Sequence, residues 1–172
     1  MTSARDSPSV PTADPLFDVH LVQIPTAVHQ RSTEHLEGLA REFALIHDSI
    51  QDRDRTHSSV PSRLRDLVES LHGQFDGLGA SENATLREAA EGGVPEIDLT
   101  YRVPAAWAQA CVVILQLLDE TDDYCRSGAL LTLATPPESA AYRRWVFGEF
   151  IRQVAGEEPQ PWPAYIEANP IS

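Results

Sequence analysis

A chain of 172 residues with 42% apolar and 23% charged side chains suits a single domain with its own core, and is neither a disordered composition nor long enough for two independent cores. Its formal charge of -13 repels phosphate, which disfavours nonspecific binding to nucleic acid or to an anionic membrane. All thirteen basic residues are Arg, so chemistry that requires a lysine, such as a Schiff base or a P-loop ammonium, is excluded.

Residues 1–16 mix Ser, Thr, Pro and Asp without period and are expected to be a flexible leader. They lack the apolar core of a signal peptide, and no apolar span of membrane length follows, so a cytoplasmic protein is expected. Order should begin at "FDVHLVQIP", an extended run ended by Pro25. From Thr26 to about Ile50, Val28, Leu39, Phe43, Ile46 and Ile50 form one broad helical stripe with Leu36 at its edge. After the polar link "QDRDRTHSS", a second helix is expected from about Pro61, with Ser59 as its cap and Leu64, Leu67, Val68, Leu71 and Phe75 on one face. "GLGASEN" should end it, leaving "ATLREAAEGG" for a short helix only.

In "LTYRVP", Leu99, Tyr101 and Val103 alternate with Thr100 and Arg102, the pattern of a half-buried strand ended by Pro104. Trp107, Cys111, Ile114, Leu118 and Cys125 then recur at helical spacing. "HLVQIP" and "LTYRVP" each feed a helix, so the two strands could pair. The final helix, in "TPPESAAYRRWVFGEFIRQVAG", has Thr135 as expected N-cap, Pro136 at the first helical position, Glu138 completing a capping box, and Gly156 as its stop. The tail "EEPQPWPAYIEANPIS" is expected to be extended, with Trp162 packing back onto the bundle. The fold expected is mainly α: a bundle of four or five helices with a minor two-stranded β element, spanning residues 17–156 between the leader and a proline-rich tail of residues 157–172.

Candidate chemistry centres on "DETDDYC". Asp119, Asp122 and Asp123 stand at i, i+3 and i+4, which brings their carboxylates together on a helix. An EF-hand beginning at Asp119 would need Gly where Tyr124 stands and Glu where Leu130 stands, so no metal site is expected. The six histidines, His20, His29, His35, His47, His57 and His72, show no zinc-like pairing, and no Cys-x-x-Cys accompanies them. His35, in "HLEG", is a candidate phosphoacceptor, but Glu37 stands where positive charge would favour an incoming phosphate. Cys125 follows aspartates at a helix's C-terminal end, which opposes thiolate formation, and Cys111 sits in an apolar run. On one helix the two lie about 21 Å apart at about 1.5 Å per residue, too far to bridge. There is no nucleophile elbow and no nucleotide-binding glycine fingerprint, and no cofactor is expected.

Arg143 and Arg144 of "YRRW" lie a short connection away from the acidic cluster, so the two helices are expected to be antiparallel neighbours in which the arginines neutralise the aspartates. Asp119, Asp122, Asp123, Arg143, Arg144 and Trp145 form the candidate contact group, with Trp145 the candidate surface anchor unless it packs beneath the tail. Tyr101, Trp107, Tyr124 and Tyr142 are candidate lining for an apolar interhelical pocket.

"LLDETDDYCRSGALLTLATPPESAAYRRWVFGEFIRQVAGEEPQPWP" resembles the C-terminal half of a family of small uncharacterised actinobacterial helical proteins, and "LVQIPTAVHQRSTEHLEGLAREFALI" is similar to its N-terminal segment. The resemblance covers about residues 19–163. It implies a setting among anti-sigma-factor regulators, beside histidine-kinase-like ATP-binding proteins and their STAS-domain antagonists, and carries no catalytic residue with it. The leading expectation is a non-enzymatic regulatory or scaffold protein that binds another signalling protein, such as a regulatory kinase or its antagonist, with homodimerisation a further option. The alternatives are a small-ligand sensor or weak enzyme built on the apolar pocket, and phosphotransfer through His35.

Overall fold

The computed structural model describes residues 15–50, 77–126 and 134–171, with the side chains of 39, 40, 42–50 and 124 outside the description. The helix expected from Pro61 and most of the leader lie outside the described residues. Two strands, β1 (Leu16–Pro25) and β2 (Glu96–Pro104), pair antiparallel. Each ends at its proline and runs straight into a helix: α1 (Thr26–Ile50) after β1, and α3 (Ala105–Arg126) after β2. Between them lies α2 (Ala80–Glu91); α4 (Pro137–Val154) and α5 (Trp162–Ala168) complete the described chain. The architecture is a mainly α bundle, with five helices among the described residues and a minor two-stranded antiparallel element. None of the described helices is long and apolar enough to cross a membrane.

The period-two pattern turns Val19, Leu21, Tyr101 and Val103 into the core and leaves Asp18, His20, Asp98, Thr100 and Arg102 exposed. Leu21 pairs with Leu99 and Ile24 with Ile97, so a bulge at Val22 and Gln23 restores Ile24 to the buried face. Gln23 takes the left-handed backbone region (φ 58°), and its N–H donates to Asp98 Oδ1 at 2.7 Å. Thr26 then fastens the start of α1 to the turn before β2: its hydroxyl donates to Val94 O at 2.5 Å and its N–H to Pro95 O at 3.2 Å.

α4 is the keel of the core. Tyr142, Trp145 and Phe150 pack against the inner face of the sheet together with Val28 of α1, Leu86 of α2 and Cys111 of α3. Burial pushes the Cys111 thiol up to about 12, in keeping with a small apolar residue rather than a nucleophile. The helix ends with Gly156 at φ 90°; Gly156 N–H bonds to Gln153 O and Glu157 N–H to Arg152 O, the paired bonds of a Schellman stop.

Three local expectations need correction. α2 starts at Ala80, ahead of "ATLREAAEGG", because Gly79 (φ 73°) opens the helix where a Cβ would come within 2.9 Å of the Tyr101 ring. α4 starts at Pro137, not Pro136, and has no side-chain cap; Thr135 is not its N-cap. The tail is helical from Trp162 to Ala168, since Pro163 falls in a first turn where a missing N–H costs little. Trp162 does pack back, with ring centroids 5.5 Å from Trp145 and 5.8 Å from Tyr142.

Candidate functional site

The acidic end of α3 and the start of α4 lie side by side, and α1 runs antiparallel to α4 across them. Cross-links at His29 to Tyr142, Arg31 to Glu138 and His35 to Thr135 show numbers rising on α1 as they fall on α4. This geometry draws two separate sequence features, the aspartate–arginine cluster and His35, into one polar hub.

Arg143 sits at its centre and is only 5% exposed. Its Nη2 donates to Asp122 Oδ2 at 2.5 Å and to Asp119 Oδ1 at 2.7 Å, while Nη1 donates to Thr135 Oγ1 at 3.0 Å. Asp122, 1% exposed, also accepts the Thr135 N–H at 3.0 Å and the Thr135 hydroxyl at 2.6 Å. The lost cap has its reason on the accepting side of the same hydroxyl, whose oxygen is taken by Arg143 and by His35 and so is not offered to a helix amide. Burial alone would raise the Asp122 carboxyl; the bonds from Thr135 and the Arg143 charge outweigh it and hold the group below the ordinary carboxylate range.

The hydroxyl of Thr135 has one proton and two acceptor sites. With that proton on Asp122, the oxygen accepts from Arg143 and from His35 Nε2 at 3.0 Å. His35 is thus held in its Nε2–H form, with Nδ1 as its remaining acceptor. Burial pulls its pKa down, Asp122 pushes it up and Arg143 pulls it down again, for a net lowering.

The remaining members of the contact group separate from this hub. Asp119 and Arg144, paired at 3.1 Å and each about half exposed, form a rim above it. Asp123 points outward and pairs with Arg126 one turn on. Trp145 is 1% exposed, sends its indole N–H to Gln160 O at 2.8 Å and lies under Trp162; the expected surface anchor is a core residue. Asp122 and Arg143 are likewise buried, so the exposed members are Asp119, Asp123 and Arg144.

The described pocket residues, Tyr101, Trp107 and Tyr142, are packed into the core. Tyr101 and Trp107 meet Phe150 edge-on, with centroids at 5.4 and 6.2 Å, so a core ring fills the space between them. Tyr142 lies eight residues earlier on α4, about 12 Å along the axis at about 1.5 Å per residue, among His29, Trp145 and Trp162. The side chain of Tyr124 lies outside the described residues. Burial raises the Tyr101 hydroxyl to about 12 and pushes Tyr142 further still, so both remain neutral. Among the described residues no three His, Cys, Asp or Glu side chains are grouped so as to hold a metal ion.

A second polar node escaped the sequence. Glu149, 1% exposed, accepts from Arg152 at 2.6 Å, Gln153 at 2.8 Å and the Gln160 N–H at 2.9 Å. Gln153 in turn exchanges two bonds with the His20 backbone, at 2.8 and 2.9 Å, as a neighbouring strand would. The available signal was Glu149 and Gln153 at i, i+4 beside the apolar stripe of Trp145, Val146 and Phe150. No protein-family model matches the chain, and no curated protein or solved structure matches it either.

Proposed function

We propose that this chain is a non-enzymatic regulatory or scaffold protein of the cytoplasm, and that the rim formed by Asp119, Asp123 and Arg144 contacts another signalling protein. The supporting observation is that the charged and hydroxyl groups of the hub are paired within the chain beneath an exposed charged rim. Asp122, Arg143 and Thr135 bond to one another at the junction of three helices, Thr135 bonds also to His35 and Arg143 also to Asp119, the buried Arg143 Nε makes no bond among the described residues, and charged groups of both signs stand exposed directly above them. A buried network of paired charges rigidifies its surroundings, and an exposed rim of mixed charge selects a partner by complementarity more than by strength. The resemblance to a family of small uncharacterised actinobacterial helical proteins, set among anti-sigma-factor regulators, favours a regulatory kinase or its antagonist as that partner. Neither a pocket nor phosphotransfer has a comparable observation behind it, since the described rings are packed into the core and His35 approaches Asp122 through Thr135.

The test is affinity capture from native extract with the wild type and with the exposed triple variant Asp119→Asn/Asp123→Asn/Arg144→Gln, the thermal midpoint of each being measured in parallel. The expected result is a partner recovered by the wild type in a salt-sensitive manner and lost from a folded variant. Equal recovery of the same partner by the folded variant refutes the role of the rim.

A further inference from the structure

The two edges of the small sheet are treated differently. On the β1 edge, Gln153 takes both backbone groups of His20, so these point away from β2 and the His20–Thr100 pair carries no ladder bonds. The alternation then assigns the ladder bonds to Val19 with Tyr101 and Leu21 with Leu99, and turns the N–H and C=O groups of Asp98, Thr100 and Arg102 outward on the far side of β2. Among the described residues, none hydrogen-bonds to those outward groups. Ile97 and Leu99, on the core face, are only partly buried, and Val94 just before the strand is exposed. Among the described residues β2 therefore presents an open edge of the kind that accepts another strand.

We propose that the occupant of this edge is β2 of a second copy of the chain, paired antiparallel about Thr100. The strand is self-complementary in that register. Asp98 of each copy faces Arg102 of the other, Thr100 faces Thr100, Ile97 faces Val103, and Leu99 faces Tyr101. The matched positions are the outward-facing ones on both strands, so they meet as hydrogen-bonded pairs. Arg102 is available for this role, since its contact with Asp18 is a loose 3.8 Å pair between exposed side chains. Asp98 keeps one carboxylate oxygen on the Gln23 N–H and has the other to offer. The product is a four-stranded antiparallel sheet with a two-fold axis at Thr100, an isologous dimer that buries both open edges and leaves the opposite edges capped by Gln153. This inference goes beyond the proposed signalling role and uses a different surface from the Asp119–Arg144 rim.

Sedimentation of the full chain from low to high micromolar concentration tests it, with Arg102→Asp, the charge swap Asp98→Arg/Arg102→Asp, and Thr100→Pro alongside. Arg102→Asp turns two cross-strand attractions into repulsions and should weaken the dimer by about tenfold or more. The swap should restore it. Thr100→Pro removes an outward N–H that bonds to none of the described residues within one copy, and should abolish the dimer while circular dichroism stays native. It decides the matter if the swap variant fails to fold. A wild type that stays monomeric throughout overturns the proposal, as do Arg102→Asp and Thr100→Pro chains that dimerise like the wild type. A monomeric Arg102→Asp chain that still captures its signalling partner separates this inference from the proposed function.

Discussion

Replacing Arg143 by Met tests the hub most directly. The substitution removes the counter-charge of Asp122 while keeping an unbranched chain of similar reach. Asp122 is then a carboxylate with 1% exposure whose remaining partners are the Thr135 amide and hydroxyl. Breaking one side of a buried pair costs about 3–5 kcal/mol. Because Thr135 continues to donate two bonds, the lower figure applies, about 3 kcal/mol. For a chain of this length that is a fall in thermal midpoint of roughly 6–12 °C. Urea unfolding followed by the fluorescence of Trp145 and Trp162 gives the value, with the denaturant slope unchanged. Replacing both partners, Asp122→Leu with Arg143→Met, removes the stranded charge and should bring stability back to within about 1 kcal/mol of the wild type. A loss below about 1 kcal/mol in the single variant, the range of exposed pairs, would refute the buried-hub reading. The pH dependence supplies a second readout. Asp122 has a lower pKa folded than unfolded, so its contribution is complete above the ordinary carboxylate range and is lost as pH falls through the lowered value. In the Arg143→Met chain that acid-side loss should shrink.

Two further outcomes follow from buried polar contacts. Gln153→Ala leaves the N–H and C=O of His20 without their partner, at a cost of about 1–3 kcal/mol, and hydrogen exchange at the His20 amide should accelerate. His29 and His35 are both held below their ordinary pKa chiefly by burial, so the unfolded chain binds more protons as pH drops. The stability they support is present above about pH 6.5 and lost below it; His29→Gln should flatten the decline of the urea midpoint on the acid side.

Periodicity carried most of the fold. The alternation in "LTYRVP" and the helical spacing from Thr26 to Ile50 name their elements because the repeat distance differs between strand and helix. Spacing also placed Asp119 and Asp122 beside Arg143. What remained illegible was competition between partners. "TPPE" has the pattern of a capping box, and nothing in those four residues shows that Arg143 and His35 fill the acceptor sites of the Thr135 hydroxyl. By spacing alone, Trp145 is dispensable to a core already supplied by Phe147, Phe150 and Ile151. The tail reverses that, since Gln160 and Trp162 build the second wall that encloses it. Such long-range closures leave no local trace.

The two buried carboxylates among the described residues share a device that bears on function. Asp122 accepts the N–H of Thr135, just ahead of α4, and Glu149 accepts the N–H of Gln160, just ahead of α5. Each thereby fixes the path of the next segment as it enters its helix, and each is balanced by an arginine on α4. An ion pair of this kind adds little stability over an apolar replacement, and its gain is in selecting one arrangement. The Asp122→Leu/Arg143→Met chain separates those two effects. It should keep its unfolding free energy, yet the Thr135 amide should exchange faster, and the rim of Asp119 and Arg144 should lose its fixed geometry. If exchange at Thr135 is unchanged while stability is retained, the carboxylate does not set the path of the chain, and the rim does not depend on the hub beneath it.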